Sequence, residues 1–217
     1  IPENSRQDHS LHGVSLFEIR TTMPEPEGEG TGLAIDVGTT TVAVALWDLS
    51  TGLCLGHRSR ANAQSRFGDN VLSRICFAQD HEDGSTRLQQ ALVQDCLNPM
   101  IAEICAQHDV DPGSIAVATA AGNPIMLHGL AGASLAGFAK YPFHPEFLES
   151  RTEDSTGFGF SASFPLTLLP SPGPFVGADI AAGAFAAGLG DRKEAVLLID
   201  FGTNGEILLK NGENWLA

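Results

Sequence analysis

Two loops of nearly the same spelling stand far apart in the chain. The first is Leu33-Ala34-Ile35-Asp36-Val37-Gly38-Thr39-Thr40-Thr41, and the second is Leu198-Ile199-Asp200-Phe201-Gly202-Thr203-Asn204-Gly205-Glu206. Each follows an apolar run and precedes another β-like run, Val42 to Leu49 and Ile207 to Leu209. The pattern predicts strand, tight turn, strand, with a carboxylate at the turn. Successive backbone N–H groups in such a turn form an anion nest, and glycine lets the backbone approach closely. A carboxylate repels bare phosphate, so the pairing makes sense with a hydrated Mg²⁺ between them. Asp36 and Asp200 are therefore the candidate metal-holding groups. Gly38, Thr39, Thr40, Thr41, Gly202, Thr203 and Asn204 are the candidate phosphate-binding residues. One such turn alone is ordinary hairpin chemistry. Two in order imply a duplicated fold closing around a nucleotide's phosphate tail.

The elements that must position these loops can be read in outline. Leu33 to Asp36 is a buried strand, and Thr41 to Leu49 alternates as a second. Leu53 to Arg58 returns as a third after the turn at Ser50-Thr51-Gly52. Asp69 is the expected cap of a helix to about Gln79, with Val71, Leu72, Ile75 and Cys76 inward. Ser85 is the expected cap of a longer helix to about His108, kinked or divided at Pro99. Ser114 to Ala121 reads as a buried strand of small residues. Asn123 then caps a helix whose first residue is Pro124. His128 on that helix reads as a packed side chain rather than a ligand. Residues 141–172 read as irregular, residues 174–190 as a Gly/Ala-rich helix, and residues 195–217 as a second meander copying the first.

Composition narrows the partners. The 217 residues, 43% hydrophobic, suffice for one large domain or one domain and part of another. A net charge of −14 disfavours nucleic acid and anionic membranes. No apolar run reaches the roughly 20 residues that span a bilayer. No basic, apolar leader opens the chain, and a start at Ile1 is expected of a fragment. Cys54, Cys76, Cys96 and Cys105 lack metal-ligand spacing and are expected to be reduced, half-buried thiols of a cytoplasmic protein.

The set of motifs resembles the acetate and sugar kinase, heat-shock chaperone and actin superfamily. Within it the chain is most similar to the reductive activators of corrinoid proteins. The resembling stretches are Gly32 to Leu49, Asn62 to Ile75, Gly122 to Gly132, Tyr141 to Pro145, Phe175 to Ala181 and Leu197 to Leu209. The resemblance implies an α/β, ribonuclease-H-like duplicated (actin-like ATPase) fold, here the first lobe plus the first strands of the second. The expected divisions are a tail over 1–21, where an upstream domain would end, and a flexible acidic linker over 22–32. A first lobe follows over 33–190, with 140–172 as an insertion, and the start of a second lobe over 191–217.

The same resemblance implies MgATP hydrolysis driving reduction of Co(II) corrinoid to Co(I) on a partner protein of a methyltransferase system. Sugar kinases of the superfamily place a catalytic Asp in a setting like Gly177-Ala178-Asp179, so Asp179 is the candidate that positions water or contacts metal. Its alternative is a carboxylate favoured by a helix N-terminus. Glu206 is a second catalytic candidate if strand alternation turns it toward the phosphates.

Two departures stand out. Relatives carry a [2Fe–2S] cluster on an N-terminal domain, and no such cysteine set is here. The adenosine loop lies well beyond the second phosphate loop, so this stretch alone is expected to be inactive. Other readings are a small-molecule (sugar or acid) kinase of the same fold, or a non-catalytic nucleotide-sensing lobe. The 195–217 meander is expected to pack back on the first lobe or to pair two copies as a homodimer.

Overall fold

The computed structural model describes residues 28–203 and 205–217. The expected tail, the linker up to residue 27 and Asn204 lie outside the described residues.

β1 (Thr31–Val37) and β2 (Thr41–Asp48) form the predicted hairpin, and β3 (Leu53–Ala61) continues it antiparallel. Leu33, Ile35 and Val37 point into the core, as do Val42, Val44 and Leu46. That period-2 burial turns Asp36 to the other face, at the end of its strand. β1 starts two residues earlier than expected, since Thr31 and Gly32 pair with Asp48 and Trp47 instead of belonging to a linker.

Small side chains let β4 (Ile115–Gly122) run parallel beside β1, with Val37 opposite Gly122. A Cβ on Gly122 would come within 2.6 Å of the Val37 carbonyl oxygen. The stretch expected to be irregular supplies two strands instead, β5 (Arg151–Asp154) and β6 (Pro165–Leu168). They are only four residues each, too short for a periodic signal, and β6 gains its order from parallel pairing with β4. The sheet order is β3-β2-β1-β4-β6-β5. This is the ribonuclease-H-like arrangement, with the loop-bearing hairpin next to a parallel crossover strand.

The helices depart from expectation in phase. α1 spans Val71–Asp80 and is capped by Asn70 rather than Asp69, because Asn70 and Ser73 form a reciprocal capping box. Arg74 and Ile75 face inward, while Leu72 and Cys76 are exposed. α2 (Gly84–Leu92) begins after Asp83, not at Ser85. Gly84 meets α1 so closely that a Cβ would fall 2.7 Å from the Ala78 Cα. Pro99 does divide the long helix. One π turn over Val93–Leu97 precedes α3 (Asn98–Gln107), whose first turn holds the proline, where its missing N–H costs nothing. α4 (Pro124–Ala131) is capped by Asn123, as expected. Of the four cysteines, Cys96 and Cys105 are buried, and Cys54 and Cys76 are exposed.

α5 (Ala178–Ala186) joins the six-stranded sheet to a second sheet. That sheet has the order β7 (Val196–Phe201), β8 (Gly205–Asn211), β9 (Asn214–Leu216) and is antiparallel throughout. Ile180, Ala184 and Leu189 bury Leu208 and Trp215, with Leu198 packed alongside. The opposite face leaves Leu197, Ile199, Phe201, Ile207 and Leu216 exposed.

Gly177 lets α5 seat against the ends of β1 and β4. A Cβ there would lie 2.7 Å from the Asn123 Cα and 2.9 Å from the Gly122 carbonyl oxygen, both backbone atoms. Gly177→Ala should therefore lower stability by about 1–3 kcal/mol through overpacking. Gly173→Ala, with open space around its Cβ, should stay within about 0.5 kcal/mol of wild type. Urea denaturation of the two variants compares them directly, and equal midpoints would refute the packing argument.

Candidate functional site

The two expected loops face each other. The hydroxyls of Thr40 and Thr203 share a hydrogen bond of 2.7 Å across the gap between the sheets. Around this contact lies a cleft of about 260 Å³ lined by Asp36, Gly38, Thr39, Thr40, Thr41, Asn123, Asp179, Asp200, Gly202, Thr203 and Glu206. Every site residue expected from sequence lines it except Asn204, which lies outside the described residues.

Each side chain arrives by a separate local rule. Asp36 faces the cleft because β1 buries its neighbours Ile35 and Val37 on the other side. Gly38 makes the turn, since a Cβ there would run into the Thr41 carbonyl. Asp200 sits directly across the strand pair from Glu206. Cross-strand partners share a face, which settles the direction of Glu206: both carboxylates lie on the side where Leu198 and Leu208 meet α5. Asp179 occupies the first turn of α5, where one carboxylate oxygen accepts the Ile180 N–H at 2.9 Å.

Asn123 is a lining residue that sequence reasoning gave only a capping role. Its carbonyl oxygen does cap α4, accepting the Met126 N–H at 3.0 Å. Its amide nitrogen donates to the Thr39 hydroxyl at 3.0 Å, tying the crossover helix to the first loop. The Gly122-Asn123-Pro124 turn directly after a buried strand was the available signal. His128 is fully packed, as expected. Its Nδ1 meets the Pro124 carbonyl at 2.7 Å, its Nε2 accepts the Phe147 N–H at 3.4 Å, and its ring stacks on Phe147 at 4.0 Å.

The electrostatics are those of crowded acids. Burial raises the pKa of Asp36, and the charges of Asp179 and Asp200 raise it further. Burial also raises Asp179 and outweighs its bond from the Ile180 N–H, with Asp200 adding to the rise. Glu206 is raised by partial burial, then by Asp179 and Asp200. Among the described residues, no three His, Cys, Asp or Glu side chains converge closely enough to ligate one ion directly. The carboxylates line the cleft from both loops and from α5, where a hydrated cation would meet them. The threonine hydroxyls and loop N–H groups supply donors for an anion beside it.

Residues 31–192 match the family described as the RACo middle region, and the chain belongs to that family. A curated relative from Eubacterium limosum, the corrinoid activation enzyme RamQ, is 31% identical over 184 residues, covering 81% of this chain and 30% of its own. A solved structure of a reductive activator for corrinoid, iron-sulfur protein superposes with a TM-score of 0.81 at 35% identity, over 85% of this chain and 30% of that one. The chain thus spans 30% of the length of each of these relatives. No helix among the described residues is long and apolar enough to cross a membrane.

The raised acids give a pH signature. A carboxyl whose folded pKa lies above its unfolded value makes the folded state bind the extra proton. Its contribution to stability falls as pH rises from the ordinary carboxylate range through the raised value. Asp179→Asn removes one such charge. Without added divalent cation, it should denature later than wild type at pH 7, and the gain should vanish near pH 3. A variant no more stable than wild type at pH 7 would show that the crowding costs nothing.

Proposed function

We propose that this chain is the phosphate- and metal-binding part of a protein that uses MgATP hydrolysis to drive reduction of a Co(II) corrinoid to Co(I) on a partner protein of a methyltransferase system. The observation that carries the nucleotide reading is the closure of the two Asp-bearing loops on one another through Thr40 and Thr203. The corrinoid part rests on the relatives, whose names describe corrinoid activation and reductive activation.

Asp36 and Asp200 would hold Mg²⁺ through its waters, since both carboxylates line the cleft. A bound Mg²⁺ would offset charge on the phosphates and relieve the repulsion among these acids. Gly38, Thr39, Thr40, Thr41, Gly202, Thr203 and Asn204 would donate to phosphate oxygens. Such donors matter most where charge gathers on the transferring group. Asp179 is held by backbone N–H groups at the start of α5, which fixes its carboxylate where it would orient an attacking water. Glu206, across from Asp200, would share that water or a metal-bound one. Reduction of Co(II) takes one electron. The donor would be the [2Fe–2S] cluster of an upstream domain, with the protein and its partner in the cytoplasm.

In the full-length protein, Asp36→Ala and Asp200→Ala should each cut MgATP turnover by about 10²-fold or more while the fold persists, because both sites face the cleft rather than the core. Circular dichroism establishes folding and phosphate release measures turnover. Two folded variants hydrolysing ATP at the wild-type rate would remove the assignment.

The exposed sheet face supplies a second expectation, that these 217 residues alone form a homodimer. Leu197, Ile199, Ile207 and Leu216 share a surface with no cover among the described residues. Fully burying one such side chain is worth roughly 1.5–3 kcal/mol. Light scattering should show association. Ile199→Lys with Ile207→Lys, directly opposed across β7 and β8, should return the chain to a monomer. A wild-type chain that stays monomeric at high concentration would sink the idea.

A further inference from the structure

The first phosphate loop is gripped from behind by two buried side chains that do not line the cleft. Arg74 is only 1% exposed, and Asn62 and Gln64 are fully buried. Arg74 donates from Nη2 to the Thr39 carbonyl at 2.7 Å, from Nη1 to the Gln64 Oε1 at 3.1 Å, and from Nε to the Gly68 carbonyl at 3.0 Å. Nη1 also meets the Met126 sulfur at 3.1 Å. Asn62 donates from its side chain to the Gly38 carbonyl at 2.8 Å and from its backbone to the Thr40 carbonyl at 2.8 Å. Three successive carbonyls of the loop, Gly38, Thr39 and Thr40, are therefore all drawn toward the interior.

Peptide geometry turns that grip into a consequence for the cleft. In a trans peptide the C=O of one residue and the N–H of the next point in opposite directions. With the Gly38 and Thr39 carbonyls held inward, the N–H groups of Thr39 and Thr40 are directed outward, on the side that lines the cleft. A burial this deep is costly for a cation. Desolvation lowers the guanidinium's pKa to about 10, with Asp69 opposing the fall, so the group remains charged at neutral pH. Its hydrogen-bonding contacts are neutral acceptors, which offset that cost only in part. A hydrophobic side chain would serve packing alone with less penalty.

We propose that Arg74 and Asn62 are positioning residues for phosphate binding: they hold the first loop's carbonyls back so that its N–H groups present a preformed anion nest. This rests on the MgATP reading of the cleft. The loop would then bind phosphate without reordering its backbone at the moment of binding. The segment from Asn62 to Arg74, which carries no group reaching the cleft, thereby sets the affinity of the site.

The test uses the full-length protein with Arg74→Met, Arg74→Lys and Asn62→Ala. Titration with a non-hydrolysable MgATP analogue measures affinity, phosphate release gives KM and kcat, and amide hydrogen exchange follows residue 62, whose N–H holds the loop's Thr40 carbonyl. Arg74→Met should weaken analogue binding and raise KM at least tenfold. It should speed exchange at the Asn62 amide, whose N–H is bonded to the Thr40 carbonyl, while exchange in β6 stays at the wild-type rate. Arg74→Lys, which keeps a donor, should recover part of both losses. A folded Arg74→Met with wild-type affinity and wild-type loop exchange would overturn the proposal. Should that variant fail to fold, Asn62→Ala decides by the same readouts, through loss of the Gly38 contact together with the bonds to Gln64. If wild type itself does not bind the analogue, the MgATP reading falls. Loop exchange then judges the grip on its own: faster exchange at the amide of residue 62, bonded to the Thr40 carbonyl, supports it in the variants, and unchanged exchange refutes it.

Discussion

Burial of carboxylates beside one another governs this molecule's cleft. Asp36, Asp179 and Glu206 all hold their protons more tightly than free carboxyls do, through burial and through each other's charge and that of Asp200. None of that crowding helps the chain fold. It persists because each acid is carried on an element fixed by packing elsewhere. Asp36 ends a strand whose alternate residues are buried. Asp179 opens a helix seated on β4, and Asp200 and Glu206 pair across a hairpin that the same helix covers. The arrangement stores an unfavourable interaction that a hydrated cation would relieve, and sites holding such interactions are where function concentrates.

Close backbone approach makes the crowding possible. Gly38, Gly122 and Gly177 stand where β1, β4 and α5 converge, and a Cβ on any of them would meet a backbone oxygen or carbon. The apolar core lies largely under the six-stranded sheet. The site sits at the carboxyl ends of β1 and β4, where parallel strands leave a crevice and a helix begins. Small residues at this junction trade local packing for proximity, and the large core beneath carries the stability.

Much of the candidate cleft's lining is legible in the sequence because its two halves repeat. Asp36-Val37-Gly38-Thr39 and Asp200-Phe201-Gly202-Thr203 each carry a turn signal, and the repetition makes the pair specific. What stayed hidden depended on contacts distant in sequence. Arg74 is helical and charged, so pattern reasoning places it outward and puts Leu72 and Cys76 inward. The reverse holds, because the Thr39 carbonyl, distant in the chain, joins the nearby Gly68 carbonyl and Gln64 side chain in satisfying the guanidinium. Strands β5 and β6 escape sequence reading for a similar reason: four residues carry little periodicity, and their order comes from pairing of β6 with β4 and of β5 with β6. Asn123 reads as a cap and is one, but its second bond to Thr39 depends on β1 and β4 lying side by side.

The two loops are alike in sequence and unlike in support. Asn62, Arg74 and Asn123 buttress the first, from three separate elements of the larger lobe. The second rests on a three-stranded sheet that buries one face against α5 and leaves the other exposed. Small sheets with one open face are marginal, and local opening free energies follow such differences in burial. A ligand bridging the loops would therefore meet a rigid partner and a more yielding one. The ordering cost would fall on the second loop, and the Thr40–Thr203 hydrogen bond, at 2.7 Å, is the contact through which the firmer loop restrains the other before any ligand arrives.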